Sequence, residues 1–283
     1  MAAFYLAFII FAGAFGNVIT KSVLRKTDGR GQFFFGFLKT VCAMLIYALT
    51  CKSFTISWEL MLYALLFATA YILAVVFMHH AVGCGPLSLT SLLISYHLII
   101  PAFFGLFFLK DPLGVGLIPG LVLLIVSFFL SNYQKGERER ITFKWLVFVL
   151  LAILGNGMGA IVLKMQQIRF EGTCKQELML LSMAIAAIPL LLFALQKERK
   201  DILAVTKVAW LPALLGGGVS GVASLLELAL LGMMPLSIYY PTKAAGGIVV
   251  TYIAARLLYK EKLSRVQFAG FLIGIISIIL LNI

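Results

Sequence analysis

Charged side chains are scarce in this sequence, at 12% of 283 residues, and only 11 of them are acidic. A soluble domain usually carries about 25%, so a surface wetted on every side is not expected. Histidines number three and cysteines four. Cys42, Cys51, Cys84 and Cys174 are scattered at expected helix ends without metal-ligand spacing. His79 and His80 are adjacent, so they cannot share one helix face, and His97 is distant in sequence. No metal and no other cofactor is expected. The chain also lacks a Walker A motif and a dinucleotide fingerprint, so any transport would have to run on a gradient rather than on nucleotide hydrolysis. Met1 to Phe15 has neither a basic leader nor an Ala-x-Ala cleavage pattern, and it reads as a retained first span rather than a signal peptide.

What is abundant is apolar length. Hydrophobic residues make up 62% of the chain, and runs of roughly 18 to 24 of them follow one another, each able to cross about 30 Å of hydrocarbon at 1.5 Å per residue. Most are apolar on every face, which fits lipid better than a soluble helical core. The expected architecture is an all-α polytopic membrane protein of ten transmembrane helices, at about 3–24, 32–50, 59–79, 86–109, 113–131, 143–164, 177–195, 209–230, 236–258 and 264–282. The formal charge of +12 does not indicate nucleic acid, because the basic residues sit in short loops and not along one face.

The ten spans divide into two fives. Pro86-Leu87-Ser88 opens a helix that runs to Lys110-Asp111, and the next helix carries Gly120 and Ser127 to Asn132. Pro235-Leu236-Ser237, Lys260-Glu261, Gly270, Ser277 and Asn282 repeat that order at an offset of 149 to 150 residues. Gly16-Asn17 in the first span is echoed by Gly155-Asn156 in the sixth. These matches point to an internal duplication, with one repeat over 1–133, a linker loop over 134–142 and a second repeat over 143–283. An odd number of spans per repeat inserts the second copy upside down, the inverted-repeat plan of many carriers. Loops 1, 5, 7 and 9 carry sixteen Lys or Arg, against five in loops 2, 4 and 6. The positive-inside rule therefore puts the odd-numbered loops in the cytoplasm and both termini outside a cytoplasmic membrane.

Ionisable residues inside a span are expensive and need a partner, a cavity or a route to the headgroups. Glu227 lies near the end of span 8, and Lys243 lies two turns into span 9. They are candidates for a structural ion pair, for contact with a solute or coupling ion, or for independent snorkelling to the interface. Lys39, seven residues into span 2, could equally snorkel to the interface. Around Lys243 stand Tyr239, Tyr240 and Pro241, and the equivalent helix of the first repeat carries Ser95, Tyr96, His97 and Pro101. Each proline removes an amide donor and is expected to leave a local break. Asn17, Asn156 and Tyr71 are further cavity candidates, with helix cross-linking as the blander alternative. Gly216, Gly217, Gly218 and Gly221 make span 8 a small-residue surface, expected first as a packing seam and second as a path lining.

Taken together, the ten spans, Gly16-Asn17, Phe37-Leu38-Lys39, Pro86-Leu87-Ser88, the Lys110-Asp111-Pro112-Leu113 and Lys260-Glu261-Lys262-Leu263 turns, and Gly120 with Gly270 resemble the EamA-like branch of the drug/metabolite transporter superfamily. The resemblance covers essentially the whole chain. It departs in the first half, where Lys110-Asp111 stands for an acidic-basic order, and in sidedness, since members are usually drawn with both termini cytoplasmic. It implies a secondary active transporter, not an enzyme, moving a small polar metabolite such as an amino-acid-like or nucleoside-like solute by alternating access. Membrane lipid is an expected partner and nucleic acid is not. A coupling proton or cation, and monomer against homodimer, are left open. The alternatives are a channel or a membrane-embedded lipid-modifying enzyme; the latter would need paired acids with histidine at one interface, and Glu227 has no acidic neighbour in sequence.

Overall fold

The computed structural model describes residues 2–52, 54–84, 90, 93–94, 96–112, 114–131, 142–258 and 264–281. Among these, ten α-helices follow one another: α1 (Ala2–Lys26), α2 (Gln32–Thr50), α3 (Trp58–Cys84), α4 (Ile99–Phe108), α5 (Leu117–Ser131), α6 (Phe143–Arg169), α7 (Lys175–Lys197), α8 (Ile202–Met233), α9 (Leu236–Leu258) and α10 (Arg265–Leu281). Six are long and apolar enough to cross a membrane by themselves, namely α1, α2, α3 over Trp58–Ala81, α6, α7 and α8. Shorter apolar helices cover Tyr96–Phe108, Leu117–Leu130 and Arg265–Leu281. The protein is an all-α, multi-span membrane protein.

Three local expectations change. The span expected as one helix over 86–109 contains a 3-10 turn at Tyr96–Leu98, immediately before α4. Pro101 explains it: proline gives no amide to the carbonyl of His97 and crowds it, so the preceding turn tightens. Pro241, expected to leave a similar break, instead sits inside an uninterrupted α9. The sixth span, expected to end at 164, continues as α6 to Arg169. Pro86 to Leu89, Ser91, Ser95, Asn132, Lys135, Arg138, Arg140, the 259–263 turn and Asn282 lie outside the described residues.

The chain forms two compact units, Met1–Ile72 with Val162–Gly232 and Leu73–Ile161 with Met233–Ile283. In the first, α2 packs against α7. Phe33 stacks on Phe193 at 5.5 Å, and Lys197 lies over both rings at 5.5 and 5.6 Å. The glycines of α8 form the expected packing seam. A Cβ on Gly217 would lie 2.5 Å from the Lys39 carbonyl oxygen and 2.7 Å from Cys42 Cβ, whereas one on Gly218 would meet nothing within 4 Å.

In the second unit, α5 packs on α10, and α9 packs on α10, α4 and α5. Lipid tails are as apolar as leucine, so burial from water cannot hold these helices together; close packing and interhelical hydrogen bonds must. Two such bonds are reciprocal. Ser127 Oγ donates to the Gly270 carbonyl at 2.7 Å, and Ser277 Oγ donates to the Gly120 carbonyl at 2.8 Å. Both serines are fully buried.

Two helices receive their N-terminal cap from far along the chain. Pro235 precedes α9 and has no side-chain acceptor, and Ser237 already lies inside the helix, so neither can act as N-cap. Asp111 Oδ2 supplies the cap, accepting the Ser237 N–H at 3.0 Å. Its approach is set by the turn after α4, in which Lys110 adopts φ 55° and the Asp111 N–H donates to the Gly105 carbonyl at 3.0 Å. A Cβ on Gly105 would stand 2.3 Å from Asp111 Oδ2, so glycine is needed there. At α2 the N-cap position is Gly31, without a side-chain bond, and Glu198 accepts the N–H groups of Phe33 and Phe34 at 3.1 and 2.9 Å.

Gly217→Ala is expected to lower the apparent melting temperature in detergent, by an overpacking cost of about 1–3 kcal/mol. Gly218→Ala should stay within about 0.5 kcal/mol of the parent. Asp111→Ala should cost about 1 kcal/mol through loss of the α9 cap, with Asp111→Asn retaining most of it; the same thermal scan reads both.

Candidate functional site

Lys243 lies two turns into α9, where the helix spacing sets Tyr239 and Tyr240 four and three residues before it on an adjoining face. Both tyrosines are buried, at 0% and 3% exposure. Their rings meet edge to face, 4.9 Å apart, and Lys243 Nζ stands 5.7 and 5.8 Å from the two centroids. A cation at this depth costs roughly 3 kcal/mol on insertion scales. Ring contacts of about 0.5–1 kcal/mol each offset part of that.

Tyr96, in the 3-10 turn, packs against the cluster of Leu124, Phe128, Ala244, Ala245 and Ile248, which places it beside the turn of α9 that follows Lys243. Its Oη is buried and has no hydrogen-bond partner among the described residues. His97 and Asn156 are turned onto their own backbone. His97 Nδ1 is 2.8 Å from the Ile94 carbonyl, and Asn156 Nδ2 donates to the Ala152 carbonyl at 3.0 Å. Thr90, from the same polar run, accepts the indole N–H of Trp145 at 2.9 Å. Ser95 lies outside the described residues.

The other candidates belong to the first unit. Tyr71 lies beside Thr40. Tyr47 lies beside Ser224 and within electrostatic reach of both Tyr71 and Glu227. Glu227 is half-buried. Lys39 Nζ is 3.4 Å from Thr20 Oγ1 and 5.6 Å from the Phe35 ring, so a hydroxyl of α1 and its own helix hold it. Asn17 is exposed on α1. Glu227 is in the first unit and Lys243 in the second.

Several polar residues were missed from sequence. Tyr47 lies eight residues after Lys39, the i, i+4, i+8 spacing of one helix face, and that spacing was the available signal. Lys164 is buried, at 9% exposure, and its Nζ donates to the Leu231 carbonyl at 2.7 Å. Gln166 and Gln167 are buried beyond it and hydrogen-bond to each other, with Gln166 Nε2 also donating to the Thr173 carbonyl at 3.1 Å. Ending span 6 at Lys164 hid this group, because a run of polar residues after an apolar stretch reads as the start of a loop. Among the described residues no group of three or more His, Cys, Asp or Glu is placed to hold a metal ion.

Within the second unit, the arrangement offers a cation backed by two buried rings, which suits contact with an anionic group. Among curated proteins none matches the chain. A solved structure described only as the crystal structure of a protein is similar in fold, with a TM-score of 0.79 at 11% identity, over 99% of this chain and 95% of that one. The model of the EamA-like transporter family matches residues 143–283. Residues 143–283 are thus similar to the EamA-like transporter family.

Proposed function

We propose that the protein is a secondary carrier that moves a small polar metabolite across the cytoplasmic membrane by alternating access, built as two inverted five-helix repeats over 1–133 and 143–283. The single observation that carries the reading is Lys243, a cation kept inside an apolar bundle against the buried rings of Tyr239 and Tyr240, in a stretch similar to a transporter family. A lysine so placed supports a solute with an anionic group. Tyr96 lies beside the same helix and supplies a phenol to that side of the site. Glu227, with Tyr47 and Tyr71 near it, is a separate candidate group of the first unit, for a coupling proton or cation.

Packing supports the repeats. Span 2 pairs with span 7, and span 5 with span 10, so each of these helices lies against its own sequence equivalent. The serine bonds behave as an isologous contact does: Ser127 meets Gly270 and Ser277 meets Gly120, with both pairs related by the 150-residue offset. The sidedness read from the loop charges, with odd-numbered loops cytoplasmic, completes the proposal.

A thermal-shift screen of the purified protein against amino acids, nucleosides and small carboxylates should find a stabilising solute, because a ligand that binds only the folded state must raise its stability. In proteoliposomes that solute should show counterflow, which a channel or an enzyme would not. Lys243→Gln should lower counterflow about tenfold, equivalent to about 1.4 kcal/mol of recognition, while leaving membrane insertion intact. Full rates in both Lys243→Gln and Glu227→Gln would remove these residues from the site.

A further inference from the structure

A cavity of about 590 Å³ opens between α4 and α5 in the second unit. Phe103 and Phe107 line it from α4, Ile118 and Val122 from α5, and Pro241 from α9, with Tyr96 also in its lining. Phe103, Phe107, Ile118 and Val122 are 48 to 72% exposed, so the groove faces outward, where a spanning helix meets lipid. Nearly all of its lining is apolar, and it therefore offers a polar solute little to bind.

From Tyr96 to Phe107 the wall rises about 17 Å at 1.5 Å per residue, close to half of the roughly 30 Å hydrocarbon core. That is the depth of one leaflet. Phe107 and Ile118 flank the 109–116 connection, so one end of the groove lies at the interfacial loop. Lys110 is in that loop, exposed and in a left-handed conformation with φ 55°. Its sequence neighbour Asp111 might be thought to neutralise it, but the Asp111 carboxylate is turned to the Ser237 N–H. The groove thus combines an apolar trough of one leaflet's depth with a cation at its mouth. We propose that it seats one acyl chain of an anionic phospholipid whose phosphate is held at Lys110. The floor at Pro241 lies two residues before Lys243, so an occupying chain would brace the helix that carries the cation.

Native mass spectrometry of the delipidated full-length protein tests this, with dioleoyl phosphatidylglycerol and dioleoyl phosphatidylcholine titrated separately. One phosphatidylglycerol should be retained about fivefold more tightly than phosphatidylcholine, the size expected for a single lysine near an anionic headgroup. Lys110→Gln, in an exposed loop, should reduce phosphatidylglycerol retention to the phosphatidylcholine level. Val122→Trp, which fills the trough, should weaken both lipids, and Val122→Phe should do so to a lesser degree. Equal retention of the two lipids by the parent protein would mean annular lipid only and would overturn the proposal. So would a headgroup preference that survives Lys110→Gln, or retention unchanged in both trough variants.

Discussion

Two serine hydroxyls hold α5 against α10, each donating to the carbonyl beside which the other helix lacks a side chain. Ser127 reaches Gly270 and Ser277 reaches Gly120, at 2.7 and 2.8 Å. In a bundle surrounded by hydrocarbon, such bonds are worth about 0.6 kcal/mol on average and up to about 1.7. Their effect is larger than that energy suggests, because they fix the register of two helices on which α9 then packs. With that register set, Tyr239, Tyr240 and Lys243 are presented from a defined position in the bundle.

The capping acids extend the same principle to the helix ends. Backbone amides at a helix start need acceptors, and local sequence supplies none at α9 or α2. Asp111 and Glu198 supply them from 126 and 165 positions away. Each acid lies in one sequence half and caps a helix of the other, which ties the two halves together within each compact unit. The Lys110-Asp111 pair, which reads as a self-neutralising turn, is therefore divided: the acid serves α9 and the lysine is left exposed.

Much of the fold was legible because membrane helices announce themselves by length and composition. The reciprocal serines stood out in sequence through their 150-residue offset, and the Gly216 to Gly221 run was readable as a seam. What failed was local. Pro101 and Pro241 look alike in sequence, yet a 3-10 turn precedes one and α9 runs unbroken through the other. The residues Lys164 to Gln167 look like a loop, and only the packing of α8 against them reveals a buried polar group, because a lysine can stay inside a helix when a carbonyl such as that of Leu231 accepts from it. The grouping of Tyr239, Tyr240 and Lys243 on α9 followed from helical spacing alone. The turning of His97 and Asn156 onto their own backbone did not, since whether a polar side chain turns to its own backbone or to a neighbour is decided by tertiary contacts.

The central claim is that the two repeats enter the membrane in opposite directions, and sidedness tests it most directly. In a background with Cys42, Cys51, Cys84 and Cys174 replaced, Asp28→Cys lies in the loop after α1, and Thr173→Cys lies in the corresponding loop after α6. A membrane-impermeant maleimide applied to intact cells should label the cysteine at 173 and leave the one at 28 for labelling after permeabilisation. Labelling of both from the same side would contradict the inverted arrangement.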